Sequence, residues 1–237
     1  MSFLRAEWRR LAMVNYVVDP EVLYEYVPAG TAIDFWQGKC YLSLVGFMFK
    51  HTRLLGIKVP GHVHFEEVNL RFYVTYDDGK ERKRGVVFIK EIVPRPALTW
   101  VANTVYKEHY QTLPMQHKWD TMDELLLTQY AWKTKAGWNK FTLLSDPEPV
   151  DIAPGSEEEF ITEHYWGYSK VDSNTTFEYQ VTHPTWQHYP VYAVGEVLNF
   201  ADTYGPRFAF LQGMEPASLI LAEGSPVTVE RRRKIRG

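Results

Sequence analysis

An alternating segment followed by turn residues is the feature that most constrains how this chain folds. Residues 68–76 place large apolar side chains on one face, whereas the other face carries Asn69, Arg71, Tyr73 and Thr75. A period of two is typical of a β-strand with one buried face. Asp78-Gly79 supplies a tight turn, and residues 85–93 provide a second apolar strand. The sequence therefore predicts an antiparallel β-hairpin, and with it a fold built on a sheet.

Further strand-like segments are spread along the chain, and helical signals are few. The additional predicted strands are residues 13–18, 40–49, 125–133, 138–144, 165–170 and 175–181. Short helices are predicted after Asp19-Pro20, within residues 96–110, and after Ser156, where Glu159 completes a capping box. The eight Trp, fifteen Tyr and thirteen Phe residues also favour sheet. We expect a mainly β, α+β fold with a few short helices, arranged as a β-barrel in a single domain, residues 1–237.

The charge and the cysteine content restrict the compartment and the partners. A formal net charge of −3 argues against general nucleic-acid binding. The basic residues 231–236 predict a solvated tail or, alternatively, a phosphate-binding arm. A single cysteine, Cys40, excludes an intramolecular disulfide and fits a reducing compartment. The apolar run 11–18 is too short to span a bilayer and lacks a signal-peptide cleavage site. We therefore expect a cytoplasmic protein without membrane or nucleic-acid partners, with assembly into a homo-oligomer left open.

A register argument gathers charged side chains on one face of the hairpin. If the turn has two residues, paired positions sum to 157, which places Glu67 opposite Lys90. Glu67, Asn69, Arg71 and Lys90 then share one face. In a half-buried sheet that face meets solvent, whereas in a closed barrel it lines a ligand cavity. A β-bulge would shift the register and remove the Glu67–Lys90 pair.

Two histidines one residue apart indicate a second kind of site. His62 and His64 point to the same side of a strand and Glu67 follows closely, a set of ligands that suits a divalent metal. Surface histidines in a loop after Pro60 explain the pattern as well, and we predict no bound metal and no cofactor. The sequence also has no serine nucleophile elbow and no glycine-rich phosphate loop that opens a helix.

Several stretches of the sequence resemble the YqjF-like family. The resemblance rests on Asn15-Tyr16, Asp19-Pro20, LSLVGF at 42–47, FEEVNLR at 65–71, GVVFIKE at 85–91, LPM at 113–115, EHYWGY at 163–168 and HPTW at 183–186. These stretches run through nearly the whole chain. The family is similar to the acetoacetate decarboxylase-like superfamily, so the resemblance implies a β-barrel with a central pocket.

The resemblance also implies which residues occupy the superfamily's catalytic positions. In that superfamily a lysine directly after a Tyr-Pro step forms a Schiff base with a keto acid, and a hydrophobic pocket and a neighbouring cation depress its pKa. An approximate pairing places Arg9 at the superfamily's arginine, and Glu66 or Glu67 at its glutamate. The lysine position falls on Met115, whose thioether cannot form an imine.

Three hypotheses about function follow from this substitution. The leading one is a barrel protein that binds a small organic acid or carbonyl compound without Schiff-base decarboxylase activity. An enzyme that uses Lys90 or Lys118 as its Schiff-base lysine, and a non-catalytic ligand sensor or sequestering protein, are the alternatives. His117 is either a general acid–base group or a capping donor. The predicted pocket residues are Arg9, Glu66, Glu67, Asn69, Arg71, Lys90, Met115 and His117.

Overall fold

The structure is a computed structural model that describes residues 2–236. Within these residues the strands are, in chain order, β1 (Leu4–Val17), β2 (Thr31–Ile33), β3 (Phe35–Trp36), β4 (Lys39–Leu54), β5 (Phe65–Asp77), β6 (Arg82–Val93), β7 (Tyr110–Thr112), β8 (Met115–Met122), β9 (Leu125–Lys133), β10 (Trp138–Ser145), β11 (Val150–Asp151), β12 (Trp166–Lys170), β13 (Thr175–Thr182), β14 (Gln187–Tyr189), β15 (Val191–Val197), β16 (Ser218–Val229) and β17 (Arg233–Arg236). The helices are α1 (Pro96–Val101), α2 (Glu157–Thr162) and α3 (Phe200–Tyr204), with 3-10 turns at Pro20–Val22, Tyr24–Tyr26 and Pro206–Leu211 and a π-helical turn at Ala102–Tyr106.

The strands form a large sheet and a smaller four-stranded sheet. In the large sheet, the order β16-β1-β4-β5-β6-β12-β13 returns to its start, because β13 also pairs with β16 through Val181 and Thr182. The smaller sheet has the order β15-β10-β9-β8. The mainly β class with few short helices is therefore confirmed.

The hairpin of β5 and β6 has a longer loop than the sequence predicts. Asp77 pairs with Arg82, so four residues, 78–81, connect the strands. The Asp78 carboxylate accepts hydrogen bonds from the backbone N–H groups of Lys80 and Glu81 at 3.0 and 3.1 Å, which stabilises the wider loop. Paired positions near the turn therefore sum to 159 rather than 157.

A β-bulge then changes which side chains of β6 face which way. The register shifts between Leu70 and Arg71, so that Arg71 pairs with Phe88, Leu70 with Lys90 and Asn69 with Glu91. The predicted Glu67–Lys90 pair is wrong for this reason. Since a one-residue slip moves every following side chain to the other face, the bulge turns Lys90 away from Glu67 and brings Glu91 to its side.

The long strands β1, β4, β5 and β6 carry buried side chains on both faces. On one face Leu70 and Phe72 join a core that includes Tyr130 and Trp132 of the smaller sheet. On the other face a second core contains Phe47, which packs near the cavity described below. The apolar composition of residues 40–49 is explained, since this strand is covered on both sides.

The helical elements are shorter than the sequence predicts. The carboxylate of Asp19 caps its turn by accepting from the Glu21 N–H at 2.9 Å, but the turn is 3-10 rather than α-helical. The amphipathic segment 96–110 forms α1 and the π-helical turn, and then ends at Lys107, which has a left-handed φ of 59°. Ser156 caps α2 by accepting from the Glu159 N–H at 3.2 Å. None of the helices formed by residues 2–236 is long and apolar enough to cross a lipid bilayer.

Candidate functional site

A cavity of about 280 Å³ lies between the large sheet and the segment that contains α1. Residues of β1, β4, β5, β6, β12 and β13 in the large sheet line it, together with residues of α1 and the π-helical turn. Much of the surface is aromatic, including Trp8, Phe47, Phe49, Phe88 and Trp166. A concave, mostly apolar space with a few polar groups is the usual form of a small-molecule site.

The polar groups of the cavity are placed by the alternation of β5 and by the bulge in β6. Glu67, Asn69 and Arg71 are spaced two apart on β5, so all three face the cavity. Glu91 comes from β6, directly across the ladder from Asn69. Glu108, from the segment between the π-helical turn and β7, lines the cavity with them.

Three buried carboxyl groups, Glu67, Glu91 and Glu108, lie near one another in one cluster. Glu67 accepts from Asn69 Nδ2 at 3.0 Å and from the Tyr110 hydroxyl at 3.1 Å. Glu108 accepts from the Tyr179 hydroxyl at 2.9 Å and from Ser169 Oγ at 2.8 Å, and it lies close enough to Glu91 for their charges to interact.

Burial raises the pKa of each carboxyl in this cluster. The pKa of Glu67 rises to about 7, because burial outweighs its hydrogen bonds from Asn69 and Tyr110. Burial likewise raises the pKa of Glu108 to about 7, although Ser169 and Tyr179 donate hydrogen bonds to it. The pKa of Glu91 lies well above its ordinary value, through burial and then through the charges of Glu108 and Glu67. The cluster therefore holds and releases protons near neutral pH.

A glycine allows the Tyr179 hydroxyl to reach Glu108. Gly167 pairs with Tyr179 across β12 and β13, and the tyrosine ring lies over it. A Cβ at position 167 would lie 2.1 Å from the ring, which no side chain tolerates. Gly167 therefore provides the space in which Tyr179 contacts the cluster.

Arg71 is a buried cation beside the carboxyl cluster. Its side chain lines the cavity, and its residue is 8% exposed. Within residues 2–236 its guanidinium forms no salt bridge, and Nη2 contacts the sulfur of Met13 at 3.9 Å. A buried guanidinium is costly unless it is paired. The Arg71 guanidinium is therefore available to an acceptor in the cavity.

His164 presents a neutral ring to the same space. Its Nε2 lies 3.3 Å from the Asp34 carboxylate. Burial lowers the pKa of His164 to about 4, so the ring is neutral at physiological pH. Because the neutral ring donates through Nε2 to Asp34, its Nδ1 is an acceptor.

Several buried polar atoms of the cavity residues lack a hydrogen-bond partner among the described residues. These atoms are Trp8 Nε1, Thr52 Oγ1, His62 Nε2, Asn69 Oδ1, Arg71 Nε, Glu91 Oε2 and His164 Nδ1. Buried polar groups are nearly always paired in folded proteins. Donors and acceptors left open around one cavity favour a polar ligand there.

Of the predicted pocket residues, Glu67, Asn69 and Arg71 line the cavity together. Arg9 is half-buried on β1, next to a register shift between β1 and β4, where Nη2 contacts Glu7 at 2.9 Å and Nη1 contacts Glu223 at 3.6 Å. The sequence predicted that Glu67, Asn69 and Arg71 share a face, because the period of two alone determines which side chains of β5 point the same way.

The other four predicted residues lie outside this cavity. Glu66 points to the opposite face of β5, where its carboxylate meets His117 Nδ1 at 2.7 Å. Lys90 reaches the backbone carbonyl of Thr203 in α3. Met115, on β8, packs against the core between the two sheets.

The histidines considered as metal ligands are also separated. His62 Nδ1 contacts the Pro60 carbonyl at 3.0 Å, and the exposed His64 packs edge-on against His51 with 5.0 Å between ring centroids. Within residues 2–236 no group of three or more His, Cys, Asp or Glu side chains is arranged to hold a metal ion.

Four residues of the site, Glu91, Glu108, Tyr110 and His164, were not predicted from the sequence. Glu91 stands next to Lys90, and only the bulge decides which of the two faces the cavity. Glu108 and Tyr110 lie in a segment interpreted as the end of a helix. The sequence does contain one signal for Glu91. The segment GVVFIKEIV is too apolar for a solvated hairpin face, so a glutamate within it is expected to be buried.

Comparison with known proteins supports the same fold. The DUF2071 family, described as uncharacterized conserved proteins, matches residues 5–226. The uncharacterized protein YqjF of Bacillus subtilis is 33% identical over 86 residues, which span 36% of this chain and 34% of that protein. The chain therefore matches only about a third of the length of this curated relative.

Solved structures with low sequence identity share the architecture of the whole chain. Acetoacetate decarboxylase from Legionella pneumophila has a TM-score of 0.66 at 11% identity, covering 98% of this chain and 86% of its own. The enduracididine biosynthesis enzyme MppR, complexed with pyruvate, has a TM-score of 0.68 at 10% identity, covering 99% and 91%. An acetoacetate decarboxylase-like enzyme from Sphingomonas wittichii has a TM-score of 0.67 at 9% identity, covering 100% and 94%.

Since the family match extends over 5–226 and the fold over nearly all of the chain, this protein belongs to the DUF2071 family, as a distant YqjF-type member with the acetoacetate decarboxylase-like fold.

Proposed function

We propose that this protein binds a small organic acid or carbonyl compound in the cavity beside Arg71, without forming a Schiff base. The observation that carries the proposal is the buried Arg71 guanidinium, whose Nε has no partner among the described residues. Arginine suits a carboxylate or carbonyl oxygen because its N–H groups are fixed in a plane and always charged. The related fold of MppR, whose structure contains pyruvate, is consistent with such a ligand.

The charge of the cavity suits an anion when the carboxyl cluster takes up a proton. The pKa of Glu91 is raised well above its ordinary value by burial, and Glu67 and Glu108 have pKa values of about 7. An anion bound to Arg71 raises these pKa values further and is bound together with a proton. A neutral carbonyl compound is bound without this proton uptake.

The positions of the lysines support a mechanism without an imine. No lysine is found among the described residues that line the cavity. Lys90 points to the other side of the sheet, and Lys118 is exposed and pairs with Asp120 at 3.0 Å. Met115, at the position that the resemblance assigns to the lysine, is partly buried and packs against the core between the sheets. Neither alternative lysine is placed to attack a ligand at Arg71.

Borohydride trapping with pyruvate tests the absence of an imine. We expect no mass adduct on the intact protein, because a lysine amine must reach the ligand carbonyl before reduction can fix the bond. Calorimetric titration of the same protein with pyruvate is expected to show saturable binding. A reduced adduct on Lys90 or Lys118 would contradict the proposal, and so would the absence of any binding to a panel of 2-keto acids and ketones.

An acid–base enzyme is the second candidate, and the titration of Glu67 near neutrality favours it. A general base works best when its pKa lies near the working pH. Glu67 meets this condition, and Arg71 provides the charge that stabilises an enolate oxygen. Exchange of the methyl protons of bound pyruvate for deuterium, followed by NMR, separates this enzyme from a sensor that returns its ligand unchanged.

The remaining expectations about the whole molecule are part of the same proposal. We propose that the seven strands whose order closes on itself, β16-β1-β4-β5-β6-β12-β13, form the predicted barrel. We also propose that residues 1–237 form one domain. The single cysteine, Cys40, is buried, which suits a cytoplasmic protein. Native mass spectrometry tests whether the protein carries a small-molecule ligand without a cofactor or nucleic acid. It also tests whether the protein assembles with further copies of the chain.

A further inference from the structure

The acidic and basic groups that line the cavity are unequal in number. Glu67, Glu91 and Glu108 lie there, whereas Arg71 is the one lysine or arginine among the described residues of the lining. One guanidinium balances one carboxylate, so the lining holds no lysine or arginine for the other two acids. A ligand that is only an acid adds a further negative charge to this space. A ligand that also carries a cation does not.

Two open hydrogen-bond acceptors of the cavity come from adjacent positions. Asn69 Oδ1 and Glu91 Oε2 belong to buried residues and have no partner within residues 2–236. Asn69 pairs with Glu91 across the ladder of β5 and β6. The other two carboxyl groups of the cavity already accept hydrogen bonds from neighbouring side chains. An ammonium group, with three N–H donors and a positive charge, suits these two acceptors.

We propose that the cavity binds a 2-amino acid, with its carboxylate on Arg71 and its ammonium between Asn69 and Glu91. The proposal rests on the proposed function, whose ligand class it narrows to an organic acid with an amino group next to the carboxylate. It is carried by a buried cation without a salt bridge beside two buried acceptors without a donor.

The spacing along β5 suits the two ends of such a ligand. Arg71 follows Asn69 by two residues and faces the same cavity. Residues so related are about 7 Å apart along a strand. A 2-amino acid holds both charged groups on one carbon, and a hydrogen bond of about 2.9 Å at each end lets it cover that distance. The bulge in β6 is what presents Glu91, rather than Lys90, to the ammonium.

The remaining lining indicates which side chain the amino acid carries. Most of this surface is apolar, including Leu11, Phe47, Phe49, Phe88 and Leu98. A charged side chain would lose its hydration in such surroundings. An aliphatic side chain such as that of leucine instead gains free energy by leaving water. We therefore expect an amino acid with an aliphatic side chain.

The ammonium changes the protonation of the carboxyl cluster in the direction opposite to a plain acid. Burial raises the pKa of Glu91 well above its ordinary value and those of Glu67 and Glu108 to about 7. A cation beside these groups lowers their pKa values. Binding of an amino acid near pH 7 therefore releases protons, whereas binding of a 2-keto acid takes them up.

Other titratable groups of the lining do not obscure this release. Burial lowers the pKa of His164 to about 4, so its ring stays neutral. Burial raises the pKa values of the tyrosines, which keep their protons; these are Tyr106, Tyr110 and Tyr179. The variant His62→Gln controls for the remaining imidazole of the lining.

L-Leucine and 4-methyl-2-oxopentanoate test the proposal, because they share a carbon skeleton and a carboxylate and differ in the amino or keto group. Calorimetric titration near pH 7, in two buffers of different ionisation enthalpy, gives the affinity and the number of protons exchanged. We expect leucine to bind at least about tenfold more tightly than the keto acid and to release protons. Equal or tighter binding of the keto acid, or proton uptake with leucine, would overturn the proposal.

Two substitutions assign the two ends of the ligand. Glu91→Gln keeps the size of the side chain and removes its charge, so it should weaken leucine binding about thirtyfold without weakening keto acid binding. Arg71→Gln should weaken the binding of both ligands. Glu66→Gln, on the opposite face of β5, is the matched control and should change neither affinity. Unchanged leucine affinity in a folded Glu91→Gln variant, as judged by thermal unfolding, would overturn the proposal.

The same titrations distinguish failure of this proposal from failure of the proposed function. Keto acid binding that depends on Arg71, without a preference for leucine, overturns the amino acid proposal alone. Binding of neither leucine nor any of the keto acids and ketones overturns both.

Discussion

The free energy of unfolding is expected to fall as the pH rises from about 5 to about 8, and Glu67→Gln is expected to remove about 3 kcal/mol of that fall. In the folded protein Glu67 keeps its proton up to a pKa of about 7, whereas its ordinary pKa is 4.5. The folded state therefore binds more protons than the unfolded state across this interval. The stability contributed by this difference is complete below about pH 4.5 and is lost as the pH rises through about 7.

Glutamine at position 67 keeps the size of the side chain and removes the titration. Chemical denaturation at a series of pH values measures the effect directly. Glu91 and Glu108 have raised pKa values for the same reason, so the variant retains the part of the slope that they contribute. A wild-type protein whose stability rises over this pH interval would contradict the assignment of the buried cluster.

The neighbouring Glu66→Gln is the matched control. Burial raises the pKa of Glu66, but the hydrogen bond from His117 and the charge of Arg95 outweigh it, so the net pKa is lowered. A lowered carboxyl pKa contributes stability that is present above the unfolded value and lost as the pH falls through the folded value. Between about pH 5 and 8, Glu66→Gln should therefore change the stability by a constant amount and leave the slope intact.

Replacement of Arg71 by glutamine is expected to weaken pyruvate binding more than about a hundredfold, equivalent to about 3 kcal/mol. The variant removes the buried positive charge that faces the ligand. The bound pyruvate anion then lies beside the carboxyl cluster without a cation. Calorimetric titration gives the dissociation constants. Arg71→Lys keeps the charge without the planar N–H groups, so it should recover only part of the affinity.

Arg9→Gln is the control for this prediction, because Arg9 was an equally good candidate from the sequence. It pairs with Glu7 and Glu223 outside the cavity. We expect unchanged affinity for pyruvate in this variant. If Arg9→Gln weakened binding and Arg71→Gln did not, the ligand would lie at the site that the resemblance implies, and the cavity would have another role.

The sequence predicted the polar face of β5 because a strand has a period of two, which fixes Glu67, Asn69 and Arg71 on one side whatever their neighbours do. It did not predict their partners. The four-residue loop shifts the register by two and keeps the faces, but the bulge shifts it by one more and exchanges Lys90 for Glu91. Bulges depend on contacts across several strands, so a single sequence rarely reveals them.

The positions of Glu108 and Tyr179 at the cavity could not be predicted from the sequence either. Glu108 reaches the cluster because the helical segment ends at Lys107 in a left-handed conformation, and the chain then turns into β7. Nothing in the amphipathic spacing of residues 96–105 indicates that turn. Tyr179 arrives from a strand about 70 residues later, beside Gly167, so its contact with Glu108 depends on the closed order of the sheet.

The crystal structure of the protein with bound pyruvate would test the central proposal most directly. We expect the ligand in the cavity, with a carboxylate or keto oxygen within hydrogen-bond distance of Arg71 Nε and no bond to a lysine. Pyruvate bound elsewhere, with this cavity empty of it, would contradict the proposal. Electron density continuous between pyruvate and a lysine side chain would contradict it equally.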